Sequence, residues 1–85
     1  MKLWILKPKE NVDNYSQIIS PWNPWYDKFF GFVIRAESEE RARKLAGLIC
    51  GDEGDQAWLD SSLSICKELL AEGNEEVVIT DFHAA

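Results

Sequence analysis

The chain has 85 residues, of which 46% are hydrophobic and 28% charged, with a formal net charge of −6. That balance excludes a disordered chain and has room for a single domain, 1–85. An acidic protein is a poor match for duplex nucleic acid, where binding is driven by counterion release onto a basic surface. No apolar run is long enough to span a membrane. Leu3-Trp4-Ile5-Leu6, closed by Lys7, is too short for a secretory signal, so a cytoplasmic setting is expected.

Residues 2–7 are bulky and apolar, too short for a helix, and stopped by Pro8; they predict the first strand. Residues 8–28 hold all three prolines and much Asn, Asp and Ser, and predict a long loop. Residues 29–36, aromatic and β-branched, predict the second strand. Ser38 then offers an N-cap, with Glu39 and Glu40 in the first turn. Ala42, Leu45, Ala46 and Ile49 repeat at helical spacing, so a helix over 39–50 is expected, with Gly51 just past its end and Arg41, Arg43 and Lys44 off the apolar stripe.

Residues 51–62 predict an acidic loop in which Trp58 folds back on the core. Residues 63–70 fit both alternation and helical spacing; the flanking Ser and Gly-Asn clusters favour a strand. Residues 77–82 predict a last strand. The expected architecture is α+β: a small antiparallel-type four-stranded sheet with one helix on one face, in the order β-loop-β-α-β-β. One helix leaves the other face solvated or paired with a second copy, so a homo-oligomer is expected. Area scaling points the same way, with about 5,100 Å² exposed by the folded chain against about 14,000 Å² unfolded, which leaves a small core.

Charge is distributed unevenly. Residues 1–44 hold eight of the nine basic residues and six acids, a balance of +2, whereas 45–85 hold Lys67 against nine acids, a balance of −8. Such a distribution suits a soluble surface, a local anion site in the first half, or an acidic half that mimics nucleic acid. Cys50 and Cys66 are too few for a disulfide framework, and with one His they lack a zinc spacing. Free, buried thiols in a reducing compartment are expected, with a Cys50–Cys66 bridge as the alternative.

Six of the ten aromatic residues lie between positions 22 and 32. Pro21 and Pro24 stiffen this loop, and stiff loops carrying large rings make good recognition surfaces. Trp22, Trp25 and Tyr26 would stack a base, Asp27 would read a polar edge, and Lys28, Arg35, Arg41 and Arg43 would take phosphate. The same rings also suit plugging a small core, and Asp27 also suits capping its turn. Asp52-Glu53-Gly54-Asp55 lacks the spacing of a calcium loop, so no metal is expected. Asp81 and His83 share one face of an extended strand, but no nucleophile motif or Gly-rich phosphate loop accompanies them. An enzyme is therefore not expected, nor is a cofactor.

The stretch 21–36 (Pro-Trp-Asn-Pro-Trp-Tyr-Asp-Lys-Phe-Phe-Gly-Phe-Val-Ile-Arg-Ala), followed by Glu-Glu-Arg-Ala-Arg-Lys-Leu-Ala over 39–46, resembles a group of small proteins found in phages and prophage-bearing bacterial genomes. The resemblance continues through 51–54, 58–60, 77–79 and 81–82. It carries no active-site motif. It implies a setting in which small acidic proteins inhibit host defence, one class of them by sequestering nucleotide immune signals. The aromatic loop places this chain in that class as an expectation: a binder of a nucleotide-like small molecule. The competing expectation is an acidic inhibitor, anti-CRISPR-like or a nucleic-acid mimic, that contacts a host defence protein directly.

Overall fold

The computed structural model describes residues 1–9, 21–22 and 27–80. Strand β1 spans Lys2–Pro8, β2 Phe32–Ala36, and β3 Ser64–Glu68; helix α1 spans Glu39–Ile49 and α2 Asp55–Leu59. The sheet has the order β2-β1-β3, and both pairings are antiparallel. Trp4 stands opposite Ile34 and Glu68, and Leu6 opposite Phe32 and Cys66. Pro8, which has no N–H to give, is the last residue of β1 and faces Ser64.

The α+β class is as expected, but the sheet has three strands among the described residues where four were expected. Residues 76–80 are exposed and form no strand, although Val77-Val78-Ile79 has strand composition. Strand propensity reflects packing against neighbours, and these residues have no ladder partner. Phe82 and Asp81 lie outside the described residues. The segment 63–70, open between strand and helix from sequence, is strand over its centre, because Cys66 fits opposite Leu6 on the middle strand.

A second correction is α2. Residues 51–62 were expected to be loop throughout, yet Asp55–Leu59 closes a short helix. Five residues cannot sustain a helix on propensity, so packing holds it. Ala57 and Trp58 are its buried face, and Trp58 has no exposed surface. Gly54, at the N-cap, has φ 85° and ψ 157°. That region is open to Gly alone. Gly54→Ala should lower the unfolding free energy by about 1–3 kcal/mol, read from urea melts. An unchanged midpoint would show that the loop adopts another conformation.

Helix α1 starts as expected, with the Ser38 hydroxyl accepting from Arg41 N–H at 3.2 Å. Its buried face differs. Ala42, Arg43 and Ala46 are buried, Leu45 is half-buried, and Ile49 is exposed. The docking of α2 explains the rotation: a Cβ built on Gly47 would lie 3.3 Å from the Asp55 Cβ, so the helices approach closely along small residues. Gly51 does not take the left-handed conformation expected of a residue past a helix end. It is required because a Cβ there would collide with the Asp27 carbonyl oxygen.

The main core lies between the sheet and the helices: Leu6, Ala36, Ala42, Ala46, Ala57, Trp58 and Cys66. By alternation, Ile5 faces the other side of the sheet, and it too is wholly buried. That side was expected to be wet in the monomer. It is dry at the middle strand, while Val33, Arg35 and Lys67 on the edge strands are exposed. Near the head of β2, Ile79 lies against Gly31. Among the described residues, no helix is long and apolar enough to cross a membrane.

Candidate functional site

Of the residues expected to bind a ligand, Trp25 and Tyr26 lie outside the described residues. Trp22 joins the core. Its indole N–H donates to the Leu63 carbonyl at 2.7 Å, and its ring meets Trp58 edge-on at 4.9 Å and Phe30 at 6.0 Å. Phe32 meets the Trp58 ring at 4.8 Å, again edge-on. For Trp22, then, the core-plugging role left open by the sequence is the one observed, although the residue is only half-buried.

Asp27 belongs to a staple between two loops. Its N–H donates to Asp52 Oδ2 at 3.0 Å, and its carbonyl accepts from Asp52 N–H at 2.7 Å. Lys28 is half-buried beside it. Glu53, which sequence reasoning missed as a structural residue, extends the staple inward. It is buried, and its carboxylate accepts from Trp58 Nε1 at 2.7 Å, Gly51 N–H at 3.0 Å and Phe29 N–H at 3.2 Å. Charge-assisted bonds of this kind fix both loops to the indole. The one signal in the sequence was an acid beside a Gly, five residues before a Trp. The acidic run 52–55 thus spends two of its carboxylates on internal N–H groups. No group of three metal-ligating side chains occurs among the described residues.

Arg43 is also a correction. It was expected to take phosphate, but it is 7% exposed and fully engaged. Its guanidinium donates to Glu39 at 2.9 Å, to the Trp58 carbonyl at 2.8 Å, and to the Ser64 hydroxyl at 2.8 Å and carbonyl at 3.1 Å. It ties α1 to the end of α2 and the start of β3. The forked guanidinium, with five N–H donors, serves all four acceptors at once, which an ammonium with three cannot.

Arg35 and Arg41 do come together. Arg35 stands on the exposed side of β2, one residue before its end, and Arg41 lies in the first turn of α1. Only Glu37 and Ser38 connect the two elements, so the bend brings both residues to one open depression of about 310 Å³. Its other lining residues are Met1, Ala36, Glu37 and Leu45. Neither guanidinium is held in an ion pair among the described residues. The result is a wall of apolar side chains with two uncommitted cations and one carboxylate. It suits an anion that also carries an apolar face.

Both thiols are free. Burial pushes the Cys66 thiol up to about 11, with Arg43 opposing and Glu39 adding to the rise. Burial, with Glu53 and Asp55 nearby, also raises Cys50. Neither is a thiolate at neutral pH, so neither is primed as a nucleophile. Asp60 is held below the usual carboxylate range by the Ser62 hydroxyl and N–H, which cap the turn leading to β3. The Cys66 shift fixes an alkaline limit. In the unfolded chain the thiol ionises near its ordinary value of 9.0, while the folded form keeps its proton until about 11. The stability it contributes is present below the lower value and is lost as pH rises through that window. Urea midpoints should therefore fall as pH rises from 9.0 to about 11, and Cys66→Ala should flatten the fall. An equally steep fall in the variant would assign it elsewhere. Asp81 and His83 lie outside the described residues. Compared with family models, curated proteins and solved structures, the chain matches none.

Proposed function

We propose that this chain is a non-enzymatic binder that sequesters a small nucleotide-like anion, seated at the Arg35–Arg41 depression. The observation that carries the reading is that Arg35 and Arg41, neither held in an ion pair among the described residues, line one depression together with Ala36 and Leu45. Guanidiniums grip phosphate through paired, directed hydrogen bonds. The apolar wall would take the face of a base, and Glu37 would accept from a hydroxyl or an amino group. The volume is at the small end for a ligand site, roughly 300–1,000 Å³, which suits a mononucleotide better than a polymer. The site differs from the one expected from sequence: it keeps Arg35 and Arg41, gives Arg43 to the core, and does not depend on Trp22. The setting, inhibition of host immune signalling by a phage-type protein in the host cytoplasm, rests on the sequence resemblance.

Calorimetry against cyclic mononucleotides, cyclic dinucleotides and NAD-derived signals tests this reading. One class should give saturable heat. Arg35→Ala and Arg41→Ala should each weaken it by roughly 10- to 100-fold, the equivalent of a lost charge-assisted hydrogen bond. No heat from any member, with the protein folded, would end the proposal.

A second reading, an acidic inhibitor that contacts a host protein, is favoured by one observation. Residues 71–80 are exposed throughout and carry Glu72, Glu75 and Glu76 beside Val77. If charge reversal at those three acids abolishes anti-defence activity while Arg35→Ala does not, this reading replaces the first.

A further inference from the structure

A second depression, of about 270 Å³, runs between α1 and α2 and is lined by Arg41, Lys44, Gly47, Leu48, Asp55 and Leu59. Arg41, Lys44 and Leu48 follow one another at i, i+3 and i+7 on α1, and Asp55 and Leu59 at i and i+4 on α2. Each helix therefore shows a charge at its start and a leucine toward its end, basic on α1 and acidic on α2. The leucines are open: Leu48 is 80% exposed and Leu59 38%. Ile49, next to Leu48, is 57% exposed, so the apolar centre is continuous with the end of α1. No described element covers it.

We propose that this face is an interface with a second copy of the same chain, related by a two-fold axis. Charge selects that occupant. A uniformly acidic partner would be repelled by Asp55, and a uniformly basic one by Arg41 and Lys44. A two-fold copy satisfies both, because in such an interface residue i meets j and j meets i. The Lys44 of each protomer then faces Asp55 of the other, and the two Leu48 side chains enter the groove floored by Gly47. Among the described residues, the one ion pair of Lys44 is with Glu40, at 3.3 Å and more than half exposed on both sides. Such pairs are worth little and exchange readily.

Sedimentation equilibrium of the full chain reads this directly. The wild type should give twice the 9.7 kDa chain mass at high micromolar concentration. Leu48→Glu should weaken association by roughly thirty-fold or more, as for a central anchor. Because Leu48 is so exposed, its circular dichroism should match the wild type. Lys44→Glu, a second exposed variant, should also weaken the dimer. In a mixture of ¹⁴N- and ¹⁵N-labelled chains, a carbodiimide should join Lys44 of one isotope to Asp55 of the other. A monomeric wild type, a dimer indifferent to both substitutions, or Lys44–Asp55 links confined to single chains would each overturn the proposal. Arg41 lines both depressions, whereas Lys44 and Leu48 line only this one and Arg35 only the other. The Lys44 and Leu48 variants therefore test the dimer, and Arg35→Ala tests the anion reading separately.

Discussion

Arg43→Ala is expected to lower the unfolding free energy by about 3–5 kcal/mol, the range for breaking a buried charged network. The loss is large because both Ser64 oxygens lose the Arg43 donor in a buried place, and the Trp58 carbonyl keeps only the long bond from the Ser64 hydroxyl at 3.4 Å. A small domain holds only about 5–15 kcal/mol in total, so the variant should be close to unfolded at 37 °C. Arg43→Lys separates charge from geometry. It keeps the cation but not the fork, and it should recover only part of the loss. Urea melts followed by tryptophan fluorescence supply the measurement. A midpoint for Arg43→Ala within error of the wild type would mean that Arg43 is a surface cation, as the sequence pattern implied.

Trp58→Ala should have an effect of similar size, about 3–5 kcal/mol for truncation of a large buried ring. Two further losses accompany the cavity. Trp22 and Phe32 each lose an edge-on ring partner, and the buried Glu53 carboxylate loses the indole N–H at 2.7 Å. Trp58→Phe should restore most of the packing while leaving the carboxylate one donor short. The difference between the two variants therefore reports the worth of that bond. If Trp58→Phe is as damaging as Trp58→Ala, the Glu53 bond dominates over packing. If Trp58→Ala folds with wild-type stability, the core assignment is wrong.

These two residues also show where sequence reading succeeded and where it ran out. Strands β1 and β2 were legible because short apolar and aromatic runs end at Pro8 and at the Glu37-Ser38 bend, although β2 starts at Phe32 and not at residue 29 as expected. The start of α1 was legible because Ser38, Glu39 and Glu40 form a local capping signal. Helix α2 was not, because five residues carry no periodicity and only Trp58, packed against distant rings, holds them. Arg43 was hidden for the same reason. Periodicity assigns a cation to the solvent side, and the acceptors that draw it inward sit 15 and 21 residues further along the chain. The expected strand at 77–82 was read from composition alone, and its described residues, 77–80, form none.

The candidate site was half legible. Arg35 and Arg41 stood out as cations in the basic half, but the sequence placed their ligand among the rings of residues 22–26. What joined them to a different wall was the tight bend between β2 and α1, together with the rotation of α1 that leaves Leu45 half-buried beside them. Trp22 was drawn the other way, since a core this small gains more from a half-buried indole than from an open one.

The central claim is that Arg35 and Arg41 form one anion site. The most direct measurement is a ¹H–¹⁵N correlation titration of the full chain with the nucleotide panel. The account predicts saturable shifts concentrated at Arg35, Glu37, Arg41 and Leu45, with the midpoint moved together to roughly 10- to 100-fold higher ligand concentration in Arg35→Ala. Spectra unmoved by every member, or shifts confined to residues 71–80 with those four unchanged, would contradict it.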